Sequence, residues 1–571
     1  MKRLLIIFAV LIAIALLLAG VGIMFSSGTT PLGGPKVLVW TLDAPLLDYS
    51  EAPDLQLFRR RSPQGLAGIY RLLDAAAKDD NVAGVVLNIQ QARLGFAKAQ
   101  EVRALLRTIS ASGKFVDCYL ESAGVGNNGT IAYLLATSCE SITLPPLGEV
   151  NLVGLFADSS FLKGTLDKLK VDAQMGHVGE YKSAAETFME TEHSPAAREA
   201  LTAVLDDLFG QIVAAVSESR GLTSEAVREL IDRAPLSPEE AVEAGLIDEI
   251  GYPDRFEDRI KEKAGENSRL VSLADYATPG DPFSSRRLAV VFAQGAIIRG
   301  SSGTDPWSQQ RYIGADSMRE IFRALKDDDD VDAVVLRINS PGGSPVASDL
   351  ILRELELLQE EKPVIVSMSD VAASGGYFIA AKASRIVADP ATITGSIGVV
   401  GGKFATGRFQ EELLGITHDG IKRGANADFY SSVHPWSQEQ AAQFQSLMQR
   451  TYDLFVDQVA SGRGMTRAEV DAVARGRIWS GERAVEIGLV DELGGLHRAI
   501  VLAREAAGLD PEEDVYLDFY PRPPSLFEAL AQGLAPFLQS RSVPFSLLPS
   551  LEPPLAFEVP RDLLRPFLGV L

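Results

Sequence analysis

Residues 79–90 read DDNVAGVVLNIQ, and residues 328–339 read DDDVDAVVLRIN. Each is an acidic turn followed by a run of β-branched apolar residues, the pattern of a strand buried on both faces. The match is not isolated. PEEAVEAGLIDEIG at 238–251 recurs as GERAVEIGLVDELG at 481–494, and YLLATSCESITLPP at 133–146 recurs as YFIAAKASRIVADP at 377–390. Three segments recurring in one order at similar spacing identify a duplication. The repeat is far longer than a solenoid period, so its units are whole domains. The first unit is placed at 36–285 and the second at 286–510, with an unrelated stretch at 511–571.

Both units read alike. Short apolar runs at 37–40, 85–89, 288–292, 334–338 and 364–368 are expected strands. They alternate with helical patterns such as 66–77 and 348–360. That alternation predicts an α/β fold with a mostly parallel sheet in each unit. Helix-rich stretches at 195–219 and 437–461 follow, and the acidic run 327–330 reads as a solvated turn.

Composition narrows the function. The chain has 571 residues, 46% of them hydrophobic, enough for sizeable cores. The formal net charge of −22 argues against a nucleic-acid partner. Two cysteines, Cys118 and Cys139, exclude a disulfide scaffold and a cysteine-rich zinc module. Both lie in apolar stretches and read as ordinary buried residues, with a single bond between them as the alternative. None of the five histidines forms an HExxH or HxxxH pair, so no metal is expected.

Residues 4–25 (LLIIFAVLIAIALLLAGVGIMF) are uncharged and mostly apolar. At about 1.5 Å per residue such a helix crosses a bilayer core of about 30 Å. Lys2 and Arg3 precede it, and no basic residue follows until Lys36. The positive-inside rule then keeps the N-terminus in the cytoplasm and the bulk of the chain outside. A cleaved signal peptide is the rival reading. The run exceeds a usual signal-peptide core and no convincing small-x-small site follows it, so 1–27 is read as an uncleaved anchor and 28–35 as a linker. The final stretch, 511–571, is rich in proline and apolar residues but has no span long enough to cross a membrane.

The two units differ where chemistry could reside. After its 334–338 strand the second unit reads Asn339-Ser-Pro-Gly-Gly-Ser344, where the first reads Gln90-Gln-Ala-Arg-Leu-Gly95. A Gly-Gly turn at a strand's end exposes backbone N–H groups, although a plain turn has the same composition. The second unit continues Ser369-Asp-Val-Ala-Ala-Ser-Gly-Gly-Tyr377. Small residues around Ser374 admit a substrate backbone, with Gly375 and Gly343 as candidate oxyanion donors; the competing reading of Ser374 is a helix N-cap. The first unit has Thr130 opposite Ser374 and lacks the Ala-Ser-Gly-Gly core.

A serine nucleophile needs a base. The first unit carries Gly179-Glu-Tyr-Lys-Ser-Ala184, and the second has Ala427 opposite Lys182. One unit has the lysine without the serine motif and the other has the reverse, so a single composite site per chain follows. A lysine serves as a base only when neutral, which requires burial or positive neighbours. Alone, Lys182 reads as a surface residue; the reciprocal loss sets it against Ser374.

The Asn-Ser-Pro-Gly-Gly, Ala-Ala-Ser-Gly-Gly-Tyr, Thr-Gly-Ser-Ile-Gly and Tyr-Lys-Ser-Ala motifs, in this arrangement, resemble the long, duplicated form of signal peptide peptidase, or protease IV. The resemblance covers about residues 1–510. It implies two tandem crotonase/Clp-protease-like domains after an N-terminal transmembrane helix. It also implies a Ser–Lys serine endopeptidase, with Ser374 as nucleophile and Lys182 as general base. Ser396 of Thr394-Gly-Ser-Ile-Gly398 would bond the lysine amine, and the Gly343 and Gly375 amides would bind the oxyanion. No cofactor is implied. The implied partners are hydrophobic peptides such as cleaved signal peptides, the lipid bilayer, and copies of the chain in a homo-oligomer, expected to be a tetramer. The implied location is the bacterial inner membrane, single-pass, with the bulk on the periplasmic or extracytoplasmic side. Two other readings compete: a non-catalytic membrane scaffold on a peptidase fold, and an acyl-thioester enzyme of the same superfamily. The duplication and anchor disfavour the second, and the intact Ser374, Lys182 and Gly343 disfavour the first.

Overall fold

The apolar runs form the strands of two sheets that share one six-strand order. A computed structural model describes residues 34–50, 65–276 and 286–522, apart from positions 125, 266, 306, 307, 511, 512 and 514. The anchor expected at 4–25 and most of the 511–571 stretch lie outside the described residues.

The first sheet is parallel throughout. Its strands lie in the order Glu249–Ile250, Ser141–Leu144, Phe115–Leu120, Val82–Ile89, Lys36–Leu42, Arg269–Ser272. In the second sheet the matching order is Glu492–Leu493, Arg385–Ala388, Val364–Ala373, Val331–Ser340, Arg287–Gln294, Tyr516–Tyr520, again parallel. Ile393–Gly395 and Ile478–Ser480 extend this sheet from Val364–Ala373. Tyr516–Tyr520 occupies the place that Arg269–Ser272 holds in the first sheet. The second unit therefore runs one strand past the boundary drawn at 510. Phe519 of that strand lies edge-on to Phe292, which gives the late strand its place in the core.

Repeated side chains repeat their bonds. The Tyr133 hydroxyl donates to the Leu246 carbonyl at 2.6 Å, and that of Tyr377 donates to the Leu489 carbonyl at 2.8 Å. Arg220 pairs with Asp248 as Arg463 pairs with Asp491. The long helices Pro195–Arg220 and Gln438–Arg463 both start on a serine cap and end on a glycine in the left-handed region. The acidic 327–330 run is a turn, as expected.

One expectation needs correction. Cys118 and Cys139 are buried but not free: they form a disulfide joining the Phe115–Leu120 strand to the turn after the Thr130–Ala136 helix.

The units interlock. Asp172–Val178 of the first pairs antiparallel with Val399–Ala405 of the second, from Asp172–Ala405 through Val178–Val399. The Phe96–Ala111 helix packs against the Val364–Ala373 strand. One apolar core includes Leu38, Val85 and Leu106 of the first unit with Leu288, Val335 and Ile500 of the second.

Candidate active site

The ribbon between the units delivers the lysine. The turn after Asp172–Val178 lies backbone to backbone on the second unit: the Tyr181 amide donates to the Arg475 carbonyl at 2.9 Å. Gly476 leaves no room there for a side chain, since a Cβ would stand 2.4 Å from the Lys182 amide nitrogen. Arg477 stacks over the Tyr181 ring at 4.9 Å and covers the turn.

The strand Val364–Ala373 delivers Ser374, which precedes the short Gly375–Phe378 helix. Ser374 has φ 55° and ψ −120°, a conformation disfavoured for a residue with a Cβ. Its amide donates to the Gly395 carbonyl at 2.9 Å, and its carbonyl accepts from Phe378. Both strand and helix thus hold the bend that aims the hydroxyl. It stands at the N-cap position of that helix, but its side chain makes no capping bond and is left for other work.

The two units meet here within one chain. Lys182 Nζ lies 3.1 Å from Ser374 Oγ, 2.8 Å from Ser396 Oγ and 2.7 Å from the Ser396 carbonyl oxygen. A neutral amine has two N–H groups and one lone pair. The two N–H groups match the two Ser396 oxygens, and the lone pair matches the Ser374 hydroxyl proton. Lys182 is only 6% exposed. Burial alone brings its amine down to about 7 from the ordinary 10.5. Ser396 is itself held at φ 51°, with its amide donating to the Arg477 carbonyl at 2.8 Å.

The two glycines lie beside the serine. A Cβ on Gly375 would stand 3.2 Å from the Gly343 amide nitrogen, so the two backbones are adjacent. Gly342 (φ 102°) turns the chain here, and a Cβ on Gly343 would collide with the Ile297 carbonyl oxygen at 2.1 Å. Neither the Gly343 nor the Gly375 amide donates to a backbone acceptor among the described residues. The geometry gathers a hydroxyl, a buried amine and two unspent amides around one point, the parts needed for acyl transfer.

The structure thus brings together all five residues expected from the sequence: Ser374, Lys182, Ser396, Gly343 and Gly375. The counterparts in the opposite units stay apart from such chemistry. In the first unit the Thr130 hydroxyl, opposite Ser374, is buried and donates to the Gly154 carbonyl at 3.2 Å; in the second unit Ala427, opposite Lys182, lies exposed on a turn. Sequence reasoning missed a buried charge network behind the site, built on Arg337 and Asp48. A lone arginine inside the buried run AVVLRIN was the available signal.

Comparison with known proteins points the same way. The model of peptidase family S49 matches residues 122–267 and 356–510. The chain is 35% identical over 471 residues to a chloroplastic serine protease, SPPA, of Arabidopsis thaliana, covering 80% of this chain and 68% of that protein. It is 32% identical over 496 residues to Protease 4 of Salmonella typhi, covering 83% and 77%. It is 31% identical over 532 residues to Protease 4 of Haemophilus influenzae, covering 87% and 83%.

Proposed function

The chain belongs to peptidase family S49 and is a serine protease, and from that premise we propose that it is a membrane-anchored endopeptidase working through a Ser374–Lys182 dyad on hydrophobic peptides such as cleaved signal peptides. The observation that carries the dyad is the 3.1 Å contact between Ser374 Oγ and a lysine amine held near neutrality by burial.

In this mechanism neutral Lys182 takes the Ser374 proton as Oγ attacks the peptide carbonyl. The oxyanion accepts from the Gly343 and Gly375 amides. The Lys182 ammonium then protonates the leaving amine, and the regenerated neutral amine activates the water that releases the acyl group. The two Ser396 oxygens keep the amine oriented in each step. General-base assistance of this kind is worth roughly 10²–10⁴-fold, and each oxyanion donor roughly 10²–10³-fold.

The apolar 4–25 segment behind Lys2 and Arg3 supports a single-pass anchor with the bulk outside the cytoplasm. The Cys118–Cys139 disulfide supports the same side, because disulfides persist in oxidising compartments such as the periplasm. The fold supports a homo-oligomer, with a tetramer as the size expected from the family. Within one chain, the Phe96–Ala111 helix docks on the second unit. Its counterpart Pro345–Gln359 leaves Val346 and Leu350 at 59% and 37% exposure, surface that a further copy could cover by repeating the contact.

The test is hydrolysis of an apolar fluorogenic peptide by the full chain in detergent, beside Ser374→Ala. Turnover by the parent, none by the variant, and fluorophosphonate labelling of the parent alone are expected. Equal turnover by both would remove Ser374 from the reaction.

A further inference from the structure

Behind the proposed dyad lies a break in the sheet that the first unit holds in place. The ladder between Val331–Ser340 and Val364–Ala373 runs in register from Val334–Val364 to Ile338–Met368, then resumes at Ser340–Ala372. Between these points Asn339 faces three residues, Ser369, Asp370 and Val371. The bulge therefore lies immediately before both functional segments. Asn339 opens the turn ending in Gly343, and Ser369 begins the approach to Ser374. The corresponding ladder of the first unit, Gly84–Phe115 to Ile89–Leu120, runs without a shift. The irregularity is confined to the unit that carries the serine. Bulges re-aim side chains, but they leave backbone groups without their ladder partners.

A carboxylate from the first unit replaces the missing ladder. Asp48, 1% exposed, inserts between the two strands. Its Oδ1 accepts from Ser369 Oγ at 2.7 Å and Arg337 Nε at 2.9 Å. Its Oδ2 accepts from Asn339 Nδ2 at 2.8 Å, with Lys98 Nζ at 3.5 Å. One carboxylate thus ties the strand of the oxyanion turn to the strand of the nucleophile. Lys98 of the first unit holds the middle of the bulge: its amide donates to Asp370 Oδ1 at 3.0 Å and its Nζ lies 3.1 Å from Asp370 Oδ2. Asp48 is itself anchored from the second unit, since the neighbouring Tyr49 carbonyl accepts from Arg311 at 2.9 Å and Gln294 at 3.1 Å.

We propose that Asp48 is a positioning residue for peptide hydrolysis: by bridging Asn339 and Ser369 across the bulge, it sets the spacing between the Gly343 amide and Ser374. The lysine-bearing unit then supplies the geometry of the oxyanion site as well as the base. This rests on the reading of Ser374 as the nucleophile.

The test uses the full chain in detergent, with fluorophosphonate titration counting competent serines. In Asp48→Asn the amide nitrogen meets Lys98 Nζ and Asn339 Nδ2, so the charge-assisted bridge is lost even where Asn339 turns its amide over. The expected result is full titration with kcat per titrated site lowered between tenfold and about 10²-fold, and KM within about threefold, as misplacement by an ångström produces. Asn339→Ala added to Asp48→Asn should lower kcat no further, since both remove one bridge. A kcat per titrated site within about twofold of the parent would overturn the proposal, provided that Ser374→Ala is inactive. An active Ser374→Ala would instead sink the nucleophile reading beneath it. Should Asp48→Asn show no cooperative melting, Ser369→Ala takes its place, because it leaves the Asp48–Arg337 pair intact. An unchanged kcat there overturns the proposal equally.

Discussion

Replacing Lys182 with methionine separates the stability of the site from its chemistry. Methionine has similar length, no charge and a flexible apolar stem suited to a buried position. In the parent, burial lowers the amine to about 7 from its ordinary 10.5. The folded state therefore binds fewer protons than the unfolded chain between those values, and stability rises with pH across that window. From the two values, the cost of the amine to the folded state is about 4 kcal/mol at pH 7 and about 2 kcal/mol at pH 9. The variant carries no such group. Whatever fixed cost follows from losing the bonds to Ser396, it cancels when two pH values are compared. The parent should thus gain about 2 kcal/mol on Lys182→Met between pH 7 and pH 9, read by urea unfolding of both proteins. Parent kcat/KM should rise with pH as one ionisation near 7 and level off above it, while the variant loses roughly 10²–10⁴-fold. With an unshifted amine, only about 3 in 10,000 molecules would be neutral at pH 7, and the rate would still climb at pH 9. A rate climbing at pH 9, or a stability difference flat between pH 7 and 9, would refute the buried neutral base.

Further outcomes follow from the same geometry. Ser396→Ala removes the 2.8 Å acceptor but leaves the carbonyl at 2.7 Å, so kcat should fall by up to about tenfold, the worth of one hydrogen bond. Gly375→Ala places a methyl 2.7 Å from Ser348 Oγ; the displaced amide should cost roughly 10²–10³ in kcat, with thermal melting checking that the fold survives. Reducing Cys118–Cys139, which closes a loop of sequence separation 21, should lower stability by about 3 kcal/mol in denaturant titrations while leaving kcat/KM in native buffer unchanged.

The duplication was legible because buried parallel strands read as unbroken apolar runs, and 79–90 and 328–339 share one such run. Ser374 and Lys182 were legible through contrast, each motif being absent from the other unit. Other features depend on partners distant in sequence. Asp48 lies 289 residues from Arg337, and no local pattern marks a loop aspartate as the bridge of a bulge. The Asp172–Val178 ribbon reads DAQMGHV, with polar residues and a glycine, and becomes a strand by pairing with Val399–Ala405. Tyr516–Tyr520 follows a charged stretch of sequence and is too short to stand out, yet the Arg287–Gln294 edge recruits it. The disulfide needed the spatial approach of two cysteines that composition alone describes as ordinary core residues.

The separation of 192 residues between Lys182 and Ser374 has a consequence for biosynthesis. On the proposed dyad, a ribosome-bound chain that has completed only the first unit holds a base with nothing to activate. The lysine turn also lacks its floor, because Arg475 and Gly476 are translated later still. Hydrolytic power therefore arrives in one step, when the second unit closes on the first. On that reading the order of synthesis by itself keeps the emerging polypeptide from acting as a hydrolase before its second unit is complete.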